Sequence, residues 1–361
     1  MNDISLLIIA GGKSSRLGRD KRFVEVGGVG MLERILQKGS AMHFAETFLC
    51  VEDDLPSLKT LAAKYGARIL LDKVHDAGAM AGIANGLANL STEWALAVSA
   101  DMPFFDFNVL RPLLTRLDGV QAVIPEVDGR RQMLASFYRR ELSTIFESEL
   151  SIGQRKIFAA IKKVPHAIEL LSSKEAFFNV NTRADLRLAL GRAENVLRST
   201  PVISIAAPCS GTGKTTFIER LTKRFSACGI KIGVIKSDAH GFNLDVEGKD
   251  SQRFQRAGAR SIAVVSPDGW FMIQRTDVRE DFLAVADKMT GVDLILTEGR
   301  TRRIFPTISL WRGKGEVITD ENVVAIFTSD PAVDHDILNF DLNDLDAAYN
   351  LCRFLAAFKS D

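Results

Sequence analysis

Apolar residues recur along this chain in short runs, and between the runs they fall at the three-to-four-residue spacing of a helix. Positions 4–10, 47–51, 67–71, 94–99, 120–124 and 133–137 predict β-strands. Positions 31–42, 56–65, 80–90, 107–117, 139–150 and 182–190 predict helices. This alternation argues for a mainly parallel sheet covered by helices on both faces. Ligands of such sheets bind beyond the carboxyl ends of the strands. Chemistry is therefore sought in the residues that directly follow each strand.

The pattern restarts in the second half. A strand at 202–207 leads into a stretch where Phe217, Ile218, Leu221 and Phe225 share one helical face. Leu294-Ile295-Leu296 and Val323-Val324-Ala325-Ile326-Phe327 are further strand-like runs. Pro267-Asp268-Gly269, set between Val264-Val265 and Trp270-Phe271, marks a hairpin. Residues 341–358 predict a closing helix capped by Asp341 or Asn343. Between Leu190 and Pro201 the chain turns polar, which reads as a short connector. Two α/β domains are expected, over 1–196 and 200–361.

Composition narrows the class. The 361 residues suffice for more than one core, and 46% hydrophobic with 25% charged residues describes a soluble globular chain. A net charge of +1 gives no electrostatic case for nucleic acid. No apolar run approaches the roughly 18 residues that span a bilayer. Residues 1–10 lack the basic start and cleavage site of an export signal. Cys50, Cys209, Cys228 and Cys352 stand far apart, so neither a disulfide framework nor a zinc site is indicated, and a cytoplasmic location is expected.

The first strand runs into Ala10-Gly11-Gly12-Lys13-Ser14-Ser15-Arg16-Leu17-Gly18-Arg19-Asp20-Lys21. Glycines let backbone approach a ligand closely, and successive N–H groups can line an anion site. Lys13, Arg16 and Lys21 add positive charge, so this loop reads as a nucleoside triphosphate site. After strand 67–71 come Asp72 and then Gly78-Ala79-Met80-Ala81-Gly82, a loop entering a helix. Asp72 alone also suits a turn or helix cap. Strand 94–99 ends in Asp101-Met102-Pro103, a carboxylate placed to serve as an oxygen ligand for Mg²⁺ or to cap the next turn. Ser151-Ile152-Gly153-Gln154-Arg155-Lys156-Ile157 reads as a helix start carrying two cations. Alternation puts Asn179 and Asn181 on one side of an extended segment, where they could meet a polar ligand or simply face solvent.

In the second half, strand 202–207 leads through Pro208-Cys209-Ser210-Gly211-Thr212-Gly213 to Lys214-Thr215-Thr216 and an amphipathic helix. This is a P-loop in its required strand–loop–helix setting, although Pro208 replaces the first glycine and offers no N–H. The loop amides, Gly211, Thr212 and Gly213 among them, would hold phosphates. Lys214 would reach the β- and γ-phosphates, and Thr215 would reach Mg²⁺, with Thr216 beside it. Glu298, ending an apolar strand, is a second Mg²⁺ candidate.

The first half resembles the MobA family, the molybdenum cofactor guanylyltransferases. The likeness rests on Ala-Gly-Gly-x-Ser-x-Arg-Leu-Gly-x-Asp-Lys, the glycine-flanked 78–82 segment, Asp101-x-Pro103 and Asn179-x-Asn181-Thr182. It implies a Rossmann-like three-layer nucleotidyltransferase with Arg16, Lys21 and Asp101 as the catalytic set and Mg²⁺ on Asp101. It also implies Ala10, Gly11, Gly12, Lys13, Ser14, Asp72 and Gly82 at the nucleotide, with Asn179 and Asn181 at the second substrate. The implied substrates are GTP and molybdopterin. Guanylyl members tend to carry Ala-Gly-Gly where cytidylyl ones carry Ala-Ala-Gly. One departure is Gly27-Gly28-Val29-Gly30, where the family has a lysine-containing turn.

The second half resembles the MobB family, GTP-binding partners of MobA. The likeness rests on the P-loop, Gly248-Lys249-Asp250-Ser251, the strand ending in Glu298-Gly299 and the run to Asp330. It implies a P-loop NTPase α/β domain with weak GTPase activity. Its partners would be acceptor molybdoenzymes and other cofactor-biosynthesis proteins, with a homodimer through the C-terminal domain also to be considered. Other readings are a cytidylyl or sugar-phosphate nucleotidyltransferase, joined to a nucleotide-gated adaptor or a small-molecule kinase.

Overall fold

The computed structural model describes residues 1–11, 17–72, 78–237, 253–254, 256–278, 280–299, 304–330 and 336–358. The chain divides into two compact units, Met1–Ala193 and Glu194–Ala357.

In the first unit the strands are β1 (Ile4–Ile9), a short ribbon of β2 (Glu25–Val26) and β3 (Val29–Gly30), β4 (Thr47–Val51), β5 (Arg68–Leu71), β6 (Trp94–Ser99), β7 (Ala122–Val127), β8 (Arg130–Arg131), β9 (Ala135–Arg139) and β10 (His166–Leu170). The main sheet runs β10-β7-β9-β6-β1-β4-β5. Strand β1 is parallel to both β4 and β6, and every one of its residues is buried. Because strand side chains alternate in direction, Leu6 and Ile8 join one core while Leu7 and Ile9 join the other. Helices α1 (Met31–Ser40) and α2 (Pro56–Lys64) supply Leu32, Ile35, Leu36 and Leu58 to the first core. Helices α3 (Ala79–Ala88), α4 (Leu142–Ser151) and α5 (Ile157–Ile161) supply Met80, Ile83, Leu87, Phe146 and Ile161 to the second. The expected three layers are present.

Several boundaries differ from expectation. Strand 133–137 begins only at Ala135 and runs antiparallel to β6 and β7, so the sheet is mixed. Residues 133 and 134 form a turn between the β7–β8 ribbon and β9, with the Ala135 amide donating to the Gln132 carbonyl and the Gln132 amide to the Pro125 carbonyl. Segment 107–117 is a 3₁₀ helix over Phe107–Arg116; Pro112, inside it, has no N–H for an α-helical ladder. Within residues 151–157 a helix starts only at the last position, so Arg155 and Lys156 precede it and do not lie in its first turns. Helix α4 ends at Ser151, Gly153 turns with φ +79°, and α5 begins at Ile157. The next helix, α6 (Arg183–Val196), begins just after the Asn179–Thr182 segment.

The second unit carries β11 (Val202–Ala206), α7 (Lys214–Ala227), β12 (Ile232–Lys236), β13 (Ser261–Ser266), β14 (Gly269–Gln274), β15 (Leu294–Glu298), β16 (Thr307–Trp311), β17 (Val323–Thr328) and β18 (Leu338–Asp341). Six of these strands form one parallel sheet in the order β12-β15-β11-β16-β17-β18. The expected hairpin is the separate antiparallel pair β13–β14. The closing helix is Leu345–Leu355, and its cap is neither Asp341 nor Asn343. Asp344 accepts from the Ala347 amide, whereas Asp341 is spent on the Asn343 amide in the turn before the helix.

Candidate functional site

Four adjacent strands of the first unit, β6, β1, β4 and β5, end side by side, and the predicted polar residues follow them. The Ala10 amide donates to the Cys50 carbonyl, the Ala100 amide to that of Ile9, and the Asp72 amide to that of Val51. These bonds extend the parallel ladder by one residue and fix where Gly11, Asp101 and Asp72 emerge. A β-carbon on Gly11 would lie 3.3 Å from Asp72 Oδ2 and 3.3 Å from Glu52 Cγ. A β-carbon on Gly82, in α3, would lie 3.5 Å from both carboxylate oxygens of Asp72. Gly11, Asp72 and Gly82 therefore converge as expected, with room held open by the missing side chains. Glu52 joins them and was not foreseen; its sequence signal is that it is the first polar residue after β4. Gly12, Lys13, Ser14 and Arg16 lie outside the described residues.

Asp101 is only 6% exposed. Lys21 Nζ donates to its Oδ2 at 2.7 Å and Ser99 Oγ to its Oδ1 at 2.5 Å. A buried carboxylate needs such compensation, and here each oxygen has it. Lys21 opens a one-turn 3₁₀ helix, Lys21–Phe23, capped by Asp20 accepting from the Arg22 amide. Arg22 then grips two carboxylates, Asp20 through Nε at 2.9 Å and Asp53 through a terminal nitrogen at 2.8 Å. The Asp53 hydrogen bond, followed by Asp20, raises the already high Arg22 pKa against the opposing effect of burial. Reciprocally, Arg22 holds the Asp53 carboxyl below its ordinary range. The fork ties the Lys21 turn to the end of β4. Neither Arg22 nor Asp53 stood out in the sequence, since one charge among many carries no local signature.

The Asn179–Thr182 stretch reaches this place through its backbone, the Val180 amide donating to the Asp101 carbonyl at 2.9 Å. Val180 is buried, Asn181 is exposed, and Asn179 Nδ2 donates to the Phe177 carbonyl. Thr182 and Asp185 exchange side-chain-to-amide bonds in a capping box at the start of α6, and Asp185 also accepts from the Asn181 amide. Cys50 beneath the site has its thiol pushed up by burial and then by the Asp72 charge, which keeps it protonated and unsuited to nucleophilic attack. The donor set suits Mg²⁺: one nearly buried carboxylate, with no group of three or more His, Cys, Asp or Glu placed to cage a metal among the described residues. Mg²⁺ typically binds through one or two carboxylates plus the oxygens of a phosphate substrate.

In the second unit, the loop after β11 ends at Gly213, whose φ of +101° caps α7 in the left-handed region. Gly211 also turns with positive φ, at +74°. Thr212 Oγ1 donates to the Cys209 carbonyl at 2.8 Å, and Lys214 Nζ folds back to the same carbonyl at 3.2 Å. Thr215 Oγ1 donates to Glu298 Oε2 at 3.0 Å, so the two expected Mg²⁺ residues meet across the ends of β11 and β15. Register explains the meeting, since Ile205 of β11 lies opposite Glu298. Thr216 follows in the first turn of α7. The expected Gly248-Lys249-Asp250-Ser251 element lies outside the described residues.

The first unit therefore has the strand-end site of a nucleotidyltransferase, and the second a P-loop. Residues 6–166 match the family model of the MobA-like NTP transferase domain, and residues 202–329 that of the molybdopterin guanine dinucleotide synthesis protein B. The chain belongs to these two families, MobA-like in its first part and MobB in its second. It is 36% identical over 155 residues to the molybdopterin-guanine dinucleotide biosynthesis adapter protein of Escherichia coli K12, covering 40% of this chain and 87% of that protein. It is 30% identical over 200 residues to a probable molybdenum cofactor guanylyltransferase of Natronomonas pharaonis, covering 53% of this chain and 99% of that protein. Among solved structures it is similar to the molybdopterin-guanine dinucleotide biosynthesis protein A of Archaeoglobus fulgidus, with 25% identity, 52% and 96% coverage and a TM-score of 0.45.

Proposed function

We propose that this chain is a bifunctional molybdenum cofactor maturation protein. Residues 1–196 transfer GMP from GTP to the phosphate of molybdopterin, and residues 200–361 bind GTP and hydrolyse it weakly. In the transfer, a phosphate oxygen of the pterin attacks the α-phosphorus of GTP. The bond to the bridging oxygen breaks and pyrophosphate leaves. The attacking group comes from the substrate, so no protein nucleophile is required. The single observation that carries this reading is the Lys21–Asp101 pair at the end of β6, one strand from Gly11. Asp101 would hold Mg²⁺, which neutralises phosphate charge when bound. Lys21, freed from the carboxylate, and Arg16 would take charge developing on the α-phosphate and the leaving group. Gly11, Asp72 and Gly82, with Ala10, would form the nucleotide cradle, Gly12, Lys13 and Ser14 would bind the same nucleotide, and Asn179 and Asn181 would serve the pterin.

In the second domain Lys214 would leave the Cys209 carbonyl for the β- and γ-phosphates, with Thr215 and Glu298 holding the metal or its water. A relative named an adapter supports a role in which this domain delivers cofactor to acceptor molybdoenzymes. Val265 is 79% and Trp270 69% exposed, and they face each other across the β13–β14 hairpin. An isolated two-stranded ribbon is marginal in water, which supports its burial against a second copy of the chain. All four cysteines are free, which supports a reducing, cytoplasmic setting.

The test is product formation. The full chain, given Mg²⁺ and molybdopterin, is expected to convert GTP but not CTP, releasing one pyrophosphate for each pterin dinucleotide detected by mass. Equal use of both nucleotides, or pyrophosphate release without the pterin adduct, would defeat the assignment.

A further inference from the structure

Strand β16 borders β11 on the side opposite β15, so the residue after β16 emerges beside the P-loop. That residue is Arg312. The three heavy atoms nearest to a β-carbon on Gly213 would all belong to the Arg312 guanidinium, at 3.4 Å for one terminal nitrogen and 3.9 Å for Cζ and Nε. The guanidinium therefore lies over the glycine that immediately precedes Lys214. It is exposed, and among the described residues it has neither an acidic partner nor a hydrogen bond. An arginine placed with no counter-charge over a phosphate-binding loop lacks only the anion.

The placement is built. The 312–315 turn packs on the P-loop through backbone. Gly315 turns with φ +73°, and a β-carbon there would lie 3.0 Å from Cys209 Sγ and 3.1 Å from Pro208 Cβ. Cys209 Sγ donates to the Lys314 carbonyl at 3.8 Å, and Trp311 Nε1 closes the turn on the Gly315 carbonyl at 3.0 Å. Pro208 can contribute no N–H to a phosphate. The same residue is the surface on which the arginine-bearing turn rests, so a lost donor and a supplied cation occur at one contact.

We propose that Arg312 is a further phosphate-contacting residue of the P-loop site, a cation supplied in cis that pairs with the nucleotide's phosphates alongside Lys214. Its planar fork suits two phosphate oxygens at once, which lysine cannot reproduce. The proposal rests on reading the P-loop as a GTP site, and the experiment separates the two.

The full chain is titrated at equilibrium with GTPγS and with GDP in Mg²⁺, and the P-loop site is defined as the one that Lys214→Ala removes. Arg312→Ala is expected to weaken GTPγS binding at that site by about 10- to 100-fold, as a lost charge-assisted bond should. GDP binding should weaken less, the salt dependence should flatten, and thermal melting should stay unchanged. Arg312→Lys should recover part of the affinity, and Arg312→Gln, which keeps bulk without charge, should not. Unchanged GTPγS affinity in Arg312→Ala and Arg312→Gln would overturn the proposal while leaving the P-loop reading intact. If Lys214→Ala removes no site, that reading fails and the proposal with it.

Discussion

The Lys21–Asp101 contact depends on residues that touch neither member. Asp20 shapes the turn that carries Lys21, and Arg22 fastens it to Asp53. The pairing gives a pH signature. Asp53 is held below its ordinary range by the Arg22 hydrogen bond, so its charged form is favoured by folding. Its contribution to stability is present above the unfolded carboxyl pKa of about 3.9 and is lost as pH falls through the lower folded value. Asp53→Asn should therefore be less stable than wild type in urea at neutral pH, with the gap closing toward pH 3. A gap that persists undiminished in acid would assign the loss to packing. At this scale the sequence was legible where a residue stood directly after a strand, as with Asp72 and Asp101. It was silent on Ser99, Glu52, Arg22 and Asp53, whose roles depend on which strand ends are neighbours in space.

Among elements, the parallel strands and their helices were legible because both faces of each sheet are buried, which leaves short apolar runs that polar loops interrupt. The errors fell where local chemistry overrides periodicity. Pro112 turns an amphipathic stretch into a 3₁₀ helix, and Gly153 breaks what looked like a helix start. Asp344, rather than its acidic and amide neighbours, caps the closing helix because Asp341 is already bound. The hairpin β13–β14 was legible from its turn, but not its exposure. If the hairpin is the surface buried in the homodimer proposed above, wild type should be dimeric in light scattering and the pair Val265→Ser and Trp270→Ser should make it monomeric, while far-ultraviolet circular dichroism is preserved. A double variant that stays dimeric would place the interface elsewhere.

Over the whole molecule, each unit carries its own sheet and its own loop proposed above to bind phosphate, and the two families it joins serve one cofactor. The loop bearing Gly11 and the loop bearing Lys214 belong to different units. If guanylyl transfer resides in the first domain, each loop can be disabled with the other intact. The most direct measurement is steady-state pyrophosphate release by the full chain supplied with Mg²⁺, GTP and free molybdopterin, compared across wild type, Asp101→Asn and Lys214→Ala. Asp101→Asn should lose about 10²- to 10³-fold in rate, the loss typical of one preorganised charge-stabilising group. Lys214→Ala should stay within about twofold of wild type, as independent sites do. Near-normal release by a folded Asp101→Asn protein, or a fall in Lys214→Ala that parallels its loss of nucleotide binding, would contradict the account.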